Sequence, residues 1–350
     1  MAQEDRPQVS TADWKTDFSK HSVAYEEIVA GGPGKDGIPA LDKPKLLDAS
    51  QKIDWLADKE PVISVLINGD ARAYPLQILL WHEIVNDTVG GALITTTFCP
   101  LCNTAIAFDR RLEGATYDFG TTGNLRFSDL VMYDRQTESW WQQATGEAVV
   151  GQLTGKKLTP LPASIVSWGA FKKAYSRGKV LSRDTGFQRD YGRNPYLGYD
   201  DVNSTPFLYN GPQDGRLAPL ERVATVALNG LDVAYPFRVL TKEQVVHDQV
   251  GGADIVVFWS KGTASALDRG SISDSLDIGA TGVFQANLEG KKLTFEALGD
   301  GTFKDKGTGT TWNLLGQGLS GPLAGQQLAP VVHANHFWFS WAVFKPNTRL

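Results

Sequence analysis

Cysteine is almost missing from this chain: Cys99 and Cys102 are the only two in 350 residues. A disulfide framework is thereby excluded, so ordinary core packing must hold the fold. Methionine is as scarce, with Met132 the only one besides Met1. Apolar runs such as 255–259 are far shorter than the roughly 20 residues a helix needs to cross a bilayer. No basic excess exists: 34 Lys and Arg face 39 Asp and Glu, a net charge of −5. An unassisted nucleic-acid binder is therefore not expected, since no basic stripe supplies phosphate contacts. The start, Met1-Ala-Gln-Glu-Asp-Arg-Pro-Gln, is polar and has no h-region. It reads as a mature end after signal-peptide removal, which predicts a periplasmic or secreted protein; a cytosolic one is the bland alternative. Phosphate-binding Gly-rich loops, Gly-x-Ser-x-Gly elbows and His-Glu-x-x-His patterns are also missing.

What is plentiful is glycine, 36 residues, and tryptophan, 10 residues, which favours tight turns and aromatic cores over long helices. Segments repeat at fixed separation. Asn68-Gly-Asp-Ala-Arg-Ala-Tyr-Pro-Leu returns as Asn229-Gly-Leu-Asp-Val-Ala-Tyr-Pro-Phe, and Asn86-Asp-Thr-Val-Gly-Gly-Ala as His247-Asp-Gln-Val-Gly-Gly-Ala. Thr104-Ala-Ile-Ala-Phe-Asp-Arg is matched to Thr263-Ala-Ser-Ala-Leu-Asp-Arg, Gly155-Lys-Lys-Leu-Thr-Pro to Gly325-Gln-Gln-Leu-Ala-Pro, and 134–141 to 305–312. The expected fold is β-rich α+β: two tandem homologous lobes, each a small barrel or sandwich with one or two helices. A lead-in over 1–59 precedes lobe one at 60–180; an inter-lobe loop at 181–219 leads to a degenerate lobe two at 220–350.

Locally, Val62-Ile-Ser-Val-Leu-Ile followed by Asn68-Gly69 predicts a strand and hairpin, and Pro75 opens a short helix reaching His82. Helices are expected over 50–57 and 164–176, and Leu93-Ile-Thr-Thr-Thr-Phe is a strand delivering Cys99.

Two sulfurs three residues apart can bind a soft metal or cycle between dithiol and disulfide. The repeat makes the pair informative. Lobe two carries Trp259-Ser-Lys-Gly-Thr where lobe one carries Phe98-Cys-Pro-Leu-Cys-Asn-Thr, and Glu243 aligns with His82. Thiols and imidazole are thus absent together from the second copy. Cys99, Cys102 and His82 are predicted ligands of a copper-type site, with Met132 a weak fourth whose thioether favours copper over zinc. For Met132 the plain alternative is an apolar core residue; for His82 it is a helix-end histidine bonded to backbone. His333 and His336 form a second-tier metal pair, if His-x-x-His lies on one helix face. Arg183, Asp184, Arg189 and Tyr191 of the inter-lobe segment are candidate binding residues, read as a lid over the site, and Trp140 as a pocket wall.

Ala73-Tyr-Pro-Leu, Trp81-His-Glu-Ile-Val-Asn-Asp, Phe98-Cys-Pro-Leu-Cys, Ala107-Phe-Asp-Arg, Asp129-Leu-Val-Met-Tyr-Asp-Arg-Gln-Thr and Leu181-Ser-Arg-Asp-Thr-Gly together resemble a prokaryotic, largely exported domain-of-unknown-function family, number 3179. The resemblance runs over about 40–350 and implies an extracytoplasmic location; it implies no reaction. Asn103 departs from it, standing where the family often has Gly.

Three functions remain open from sequence. The leading one is an extracytoplasmic metal-binding protein with copper, or alternatively zinc, carrying, storing or using the metal in redox chemistry. The others are a thiol–disulfide oxidoreductase using Cys99 and Cys102, and a peptide- or glycan-binding module without catalysis. The expected partner is a metal ion, with no nucleic acid and no membrane span.

Overall fold

The computed structural model describes residues 7–350. It is β-rich, with only four short α-helices among the described residues. The hairpin Pro61–Ile67 with Asp70–Pro75 is built as its sequence dictates. β-Branched residues pair from Val62↔Pro75 to Ile67↔Asp70, and Asn68 (φ 49°) and Gly69 (φ 80°) make the turn. Two successive positive φ values match the right-handed strand twist, and Asn-Gly accepts them at least cost. Ala163–Ser167 flanks this hairpin antiparallel and Lys179–Leu181 flanks it in parallel. A second sheet holds Ile84–Val89, Ala92–Cys99 and Thr104–Asp109, and a third holds Phe119–Arg126, Asp129–Asp134 and Trp140–Gln142.

The segment ahead of residue 60 supplies an edge strand to each of the three sheets. Ile28–Ala30 pairs with Phe119–Arg126, Leu41–Asp42 with Ile84–Val89, and Leu46–Asp48 with Lys179–Leu181. The helix expected over 50–57 is a run of turns. Its two turns are too short to be stable alone, and burial of Ala49 and Leu56 in the core fixes the segment instead. The 164–176 helix is also shorter than expected. Ile165 and Val166 pair with Ile63 and Val62 in the sheet. The helix runs only over Trp168–Ala174, where Ser167 Oγ accepts the Ala170 N–H at 3.2 Å as its cap.

Several pairings occur twice. Arg222–Leu228 and Leu231–Pro236 repeat the first hairpin, including Asn229 (φ 49°) and Gly230 (φ 80°). Asn68 Nδ2 donates to the Gly90 carbonyl at 2.8 Å, as Asn229 Nδ2 does to Gly251 at 2.8 Å. Tyr74 Oη donates to Asp87 at 2.8 Å, and Tyr235 Oη to Asp248 at 2.6 Å. One sequence match fails. The strand that pairs with Ala253–Ser260 is Ala280–Gln285, with Ser260↔Ala280 standing where Cys99↔Thr104 stands in the first copy. Residues 263–269 therefore belong to a long connecting loop. Seven similar residues did not secure a strand where the intervening chain had lengthened.

No sheet among the described residues closes on itself, so the barrel alternative is not realised. The core is not divided at the expected lobe boundaries either. One buried cluster joins Ile63, Phe98, Met132 and Trp141 to Leu220, Leu267, Ile272 and Phe337.

Candidate metal centre

Cys99 ends the strand Ala92–Cys99, and Pro100–Cys102 forms one 3-10 turn. Asn103, left-handed at φ 51°, reverses the chain into Thr104–Asp109. A residue with φ > 0 is needed here to close so short a connection, and Asn tolerates it. Both cysteines are buried and carry free thiols.

A second hairpin meets them. Phe127 (φ 53°) and Ser128 (φ 67°) turn Phe119–Arg126 into Asp129–Asp134. Neither residue type favours that conformation, so the turn stores backbone strain that the surroundings hold in place. Ser128 Oγ donates to the Phe207 carbonyl at 2.5 Å, tying the turn to the inter-lobe segment. The Ser128 carbonyl then lies 3.8 Å from Cys99 Sγ and 3.5 Å from Cys102 Sγ.

The next residue completes the cluster. Sγ of Cys99, Sγ of Cys102 and a carboxylate oxygen of Asp129 lie within 4.8 Å of one another, all buried. Among the described residues this is the only group of three or more Cys, His, Asp or Glu donors so close. Asp129 Oδ2 accepts from Gln142 Nε2 at 2.5 Å and from the Ala144 N–H at 2.9 Å, and the two thiols are the other groups that bond the carboxylate. Burial pushes the Asp129 carboxyl up to about 6. Desolvation raises both thiols, Cys102 well above the ordinary thiol range. A metal ion reverses this, since its charge makes the ionised donors the favoured forms.

His82 stands outside the cluster. Nδ1 bonds the Pro39 carbonyl at 2.7 Å and Nε2 the Tyr191 hydroxyl at 2.6 Å, so both ring nitrogens are occupied. The group beside the two sulfurs is the Asp129 carboxylate rather than the expected imidazole, and burial lowers the His82 pKa to about 4. Met132 lies in the strand Asp129–Asp134, opposite Trp141 and Thr121, fully buried in the same apolar cluster as Cys99 and Cys102. His333 and His336 sit on the strand His333–Phe337, where i and i+3 project to opposite sheet faces. His333 Nδ1 bonds the Val331 carbonyl at 3.1 Å and His336 Nδ1 bonds Thr104 Oγ1 at 2.8 Å, so they form no pair.

Trp140 is no pocket wall; it is fully buried against Trp14 and Phe18. The inter-lobe candidates divide. Arg183 Nε donates to Gln77 Oε1 at 2.8 Å, Nη2 donates to the Tyr191 carbonyl at 2.9 Å, and the guanidinium lies over Trp55. Tyr191 also meets Thr185 Oγ1 at 2.6 Å. These residues order the segment. Asp184, in an exposed ion pair with Lys45, and exposed Arg189 face solvent.

The segment reaches the centre further along. A cavity of about 500 Å³ opens beside the cluster, walled by Glu83, Leu101 and Leu130 and by Tyr196, Tyr199 and Phe207 from the inter-lobe segment. Glu83 is buried, and its carboxyl has no hydrogen-bond or ion-pair partner among the described residues. Desolvation first, and the charge of Asp129 second, push it up to about 8. Sequence reasoning missed Asp129, Glu83, Tyr196 and Tyr199. A signal for Glu83 was present in the sequence: at the offset of 161 residues the matching position is Gln244, which lacks the acid. For Asp129 no sequence signal existed, because strand-opening aspartates are ordinary turn residues.

A family model described as Protein of unknown function (DUF3179) matches residues 35–348. The chain belongs to this family. Comparisons with curated proteins and with solved structures found no match. No helix among the described residues is long and apolar enough to cross a membrane.

Proposed function

We propose that this DUF3179 protein is an extracytoplasmic metal-binding protein whose ion sits between Cys99 Sγ, Cys102 Sγ and the Asp129 carboxylate. A fully buried carboxylate held beside two buried thiols, with all three donor atoms within 4.8 Å of one another, carries the reading. In their ionised forms, three acidic groups held together out of water are costly unless a cation balances them. The donor set shifts the choice of metal. Without His82 the case for copper rests on the sulfur donors, and the carboxylate oxygen suits zinc better. Three protein donors leave the fourth position of a tetrahedral ion for water or substrate, the pattern of a reactive rather than a closed site.

We also read the chain as a duplicated scaffold, supported by the recurring hairpins and Tyr–Asp bonds. In this reading the second copy keeps the pairing and has lost the donors.

A second reading, a dithiol–disulfide couple, is favoured by the closeness of the two sulfurs. Against it, burial keeps both thiols protonated, and the thiolate is the attacking form.

Elemental analysis of native protein, before and after reconstitution with Zn(II) and with Cu(I), separates these. One equivalent, lost in Cys99→Ser and Cys102→Ser and weakened in Asp129→Asn, is expected. Zero metal after both reconstitutions, together with a reversible two-electron thiol titration, would establish the couple instead.

A further inference from the structure

We propose that the cavity beside the centre is a binding site for a small organic cation, an ammonium-bearing molecule with an apolar body. Its charge is met by Glu83 and its body by Tyr196, Tyr199 and Phe207.

The cavity is about 500 Å³, the size of a small-molecule site, and its walls are mostly apolar or aromatic. No Lys, Arg or His lines it, so an anionic ligand has no counter-charge there. Glu83 is the sole ionisable carboxyl in the wall and is more than nine-tenths buried, and its side chain makes no hydrogen bond or ion pair among the described residues. A buried carboxyl kept without a partner is either a liability or is completed by a ligand. Tyr196, Tyr199 and Phe207 line the same cavity, and aromatic rings attract a cation electrostatically. Asp129 stands close behind and adds negative potential at Glu83.

The left-handed backbone at Glu83 does not explain the carboxyl. Gln244 adopts the same φ region in the second copy, so geometry alone does not require an acid. The aromatic walls come from the inter-lobe segment, which has no counterpart in the repeat, so this pocket belongs to the first copy only. The inference goes beyond the metal reading. Two thiolates and a carboxylate around a divalent ion remain formally anionic, so a cation is the favoured ligand with the ion or without it.

The test is a charge series at pH 8 on the whole chain, read by isothermal titration. The probes are phenethyltrimethylammonium, 2-phenylethanol and 3-phenylpropanoate. The cation should bind about tenfold or more tighter than the alcohol, a factor within reach of a desolvated cation against aromatic faces, and the propanoate should not bind. Glu83→Gln should lower affinity for the cation about tenfold and leave the alcohol unchanged. Equal affinities across the series, no binding of the cation to wild type, or an unchanged cation affinity in Glu83→Gln would overturn the proposal. If Glu83→Gln fails to fold by circular dichroism, the charge series on wild type decides alone. The same series in Cys99→Ser, Cys102→Ser separates the two readings. A preserved preference supports the cation site even where the metal reading fails. Loss of the preference there, with metal bound in wild type, would assign the cation to the metal centre and overturn the role of Glu83.

Discussion

Replacing Asp129 by Asn changes a charge and little else. The Asn oxygen can keep the hydrogen bonds from Gln142 Nε2 at 2.5 Å and Ala144 N–H at 2.9 Å. It cannot give an ion an anionic donor. In the metal-free protein the carboxyl is held at about 6 by burial, against 3.8 in an exposed chain. The unfolded chain therefore releases this proton at lower pH than the folded one. Stability falls as pH rises from about 4 to about 6, and the whole cost is present above that. At pH 7.5 that cost is about 3 kcal/mol, from about 1.4 kcal/mol for each pH unit of difference. Metal-free Asp129→Asn should accordingly be more stable than metal-free wild type, by up to about 3 kcal/mol. With free zinc at 100 times its dissociation constant, wild type should gain about 2.7 kcal/mol and the variant far less. Urea unfolding followed by tryptophan fluorescence, once with chelator and once with zinc, reads both numbers. If Asp129→Asn loses stability without metal, or gains as much from zinc as wild type, the carboxylate is structural and the metal reading is wrong.

Other perturbations give equally definite outcomes. Met132→Leu nearly conserves volume in the core, so it should cost less than about 1.5 kcal/mol in urea unfolding. It should also leave metal stoichiometry unchanged; lost metal would restore the thioether as a ligand. Burial lowers the His336 pKa to about 3, below the 6.5 of an exposed imidazole, so its unfolded form takes up a proton first as pH falls. Its contribution is complete above about 6.5 and is lost towards pH 3. His336→Gln should flatten the acid limb of the stability curve by about 1.4 kcal/mol per pH unit, and an unchanged slope between pH 6 and 4 would contradict this. Asn103→Val forces a β-branched residue into the left-handed region and should destabilise by about 1–2 kcal/mol, whereas Asn103→Gly should not; equal stabilities by thermal unfolding would count against the strained turn.

The hairpins were legible because their information is local. Alternating β-branched residues and Asn-Gly at 68–69 and 229–230 fix pairing within a few residues, and the offset of 161 made the pattern visible twice. The Cys-x-x-Cys pair was legible for the same reason, since three residues of spacing already bring the sulfurs together. The third ligand was not. His82 was inferred from its absence in the second copy, yet its ring is spent on Pro39 and Tyr191, contacts made 43 and 109 residues away. The helix expected at 50–57 failed because a two-turn pattern is outweighed by burial of Ala49 and Leu56.

Sequence by itself determined the β-rich fold, the recurring hairpins and the two sulfurs at 99 and 102, each set by neighbours along the chain. Only the tertiary structure decided that Asp129 rather than His82 faces those sulfurs, and that Glu83 with Tyr196 and Tyr199 encloses the space beside them. The reason is that a site's donors are chosen by which distant strands and loops meet. That meeting depends on the packing of all the sheets and their shared core, which no local pattern encodes.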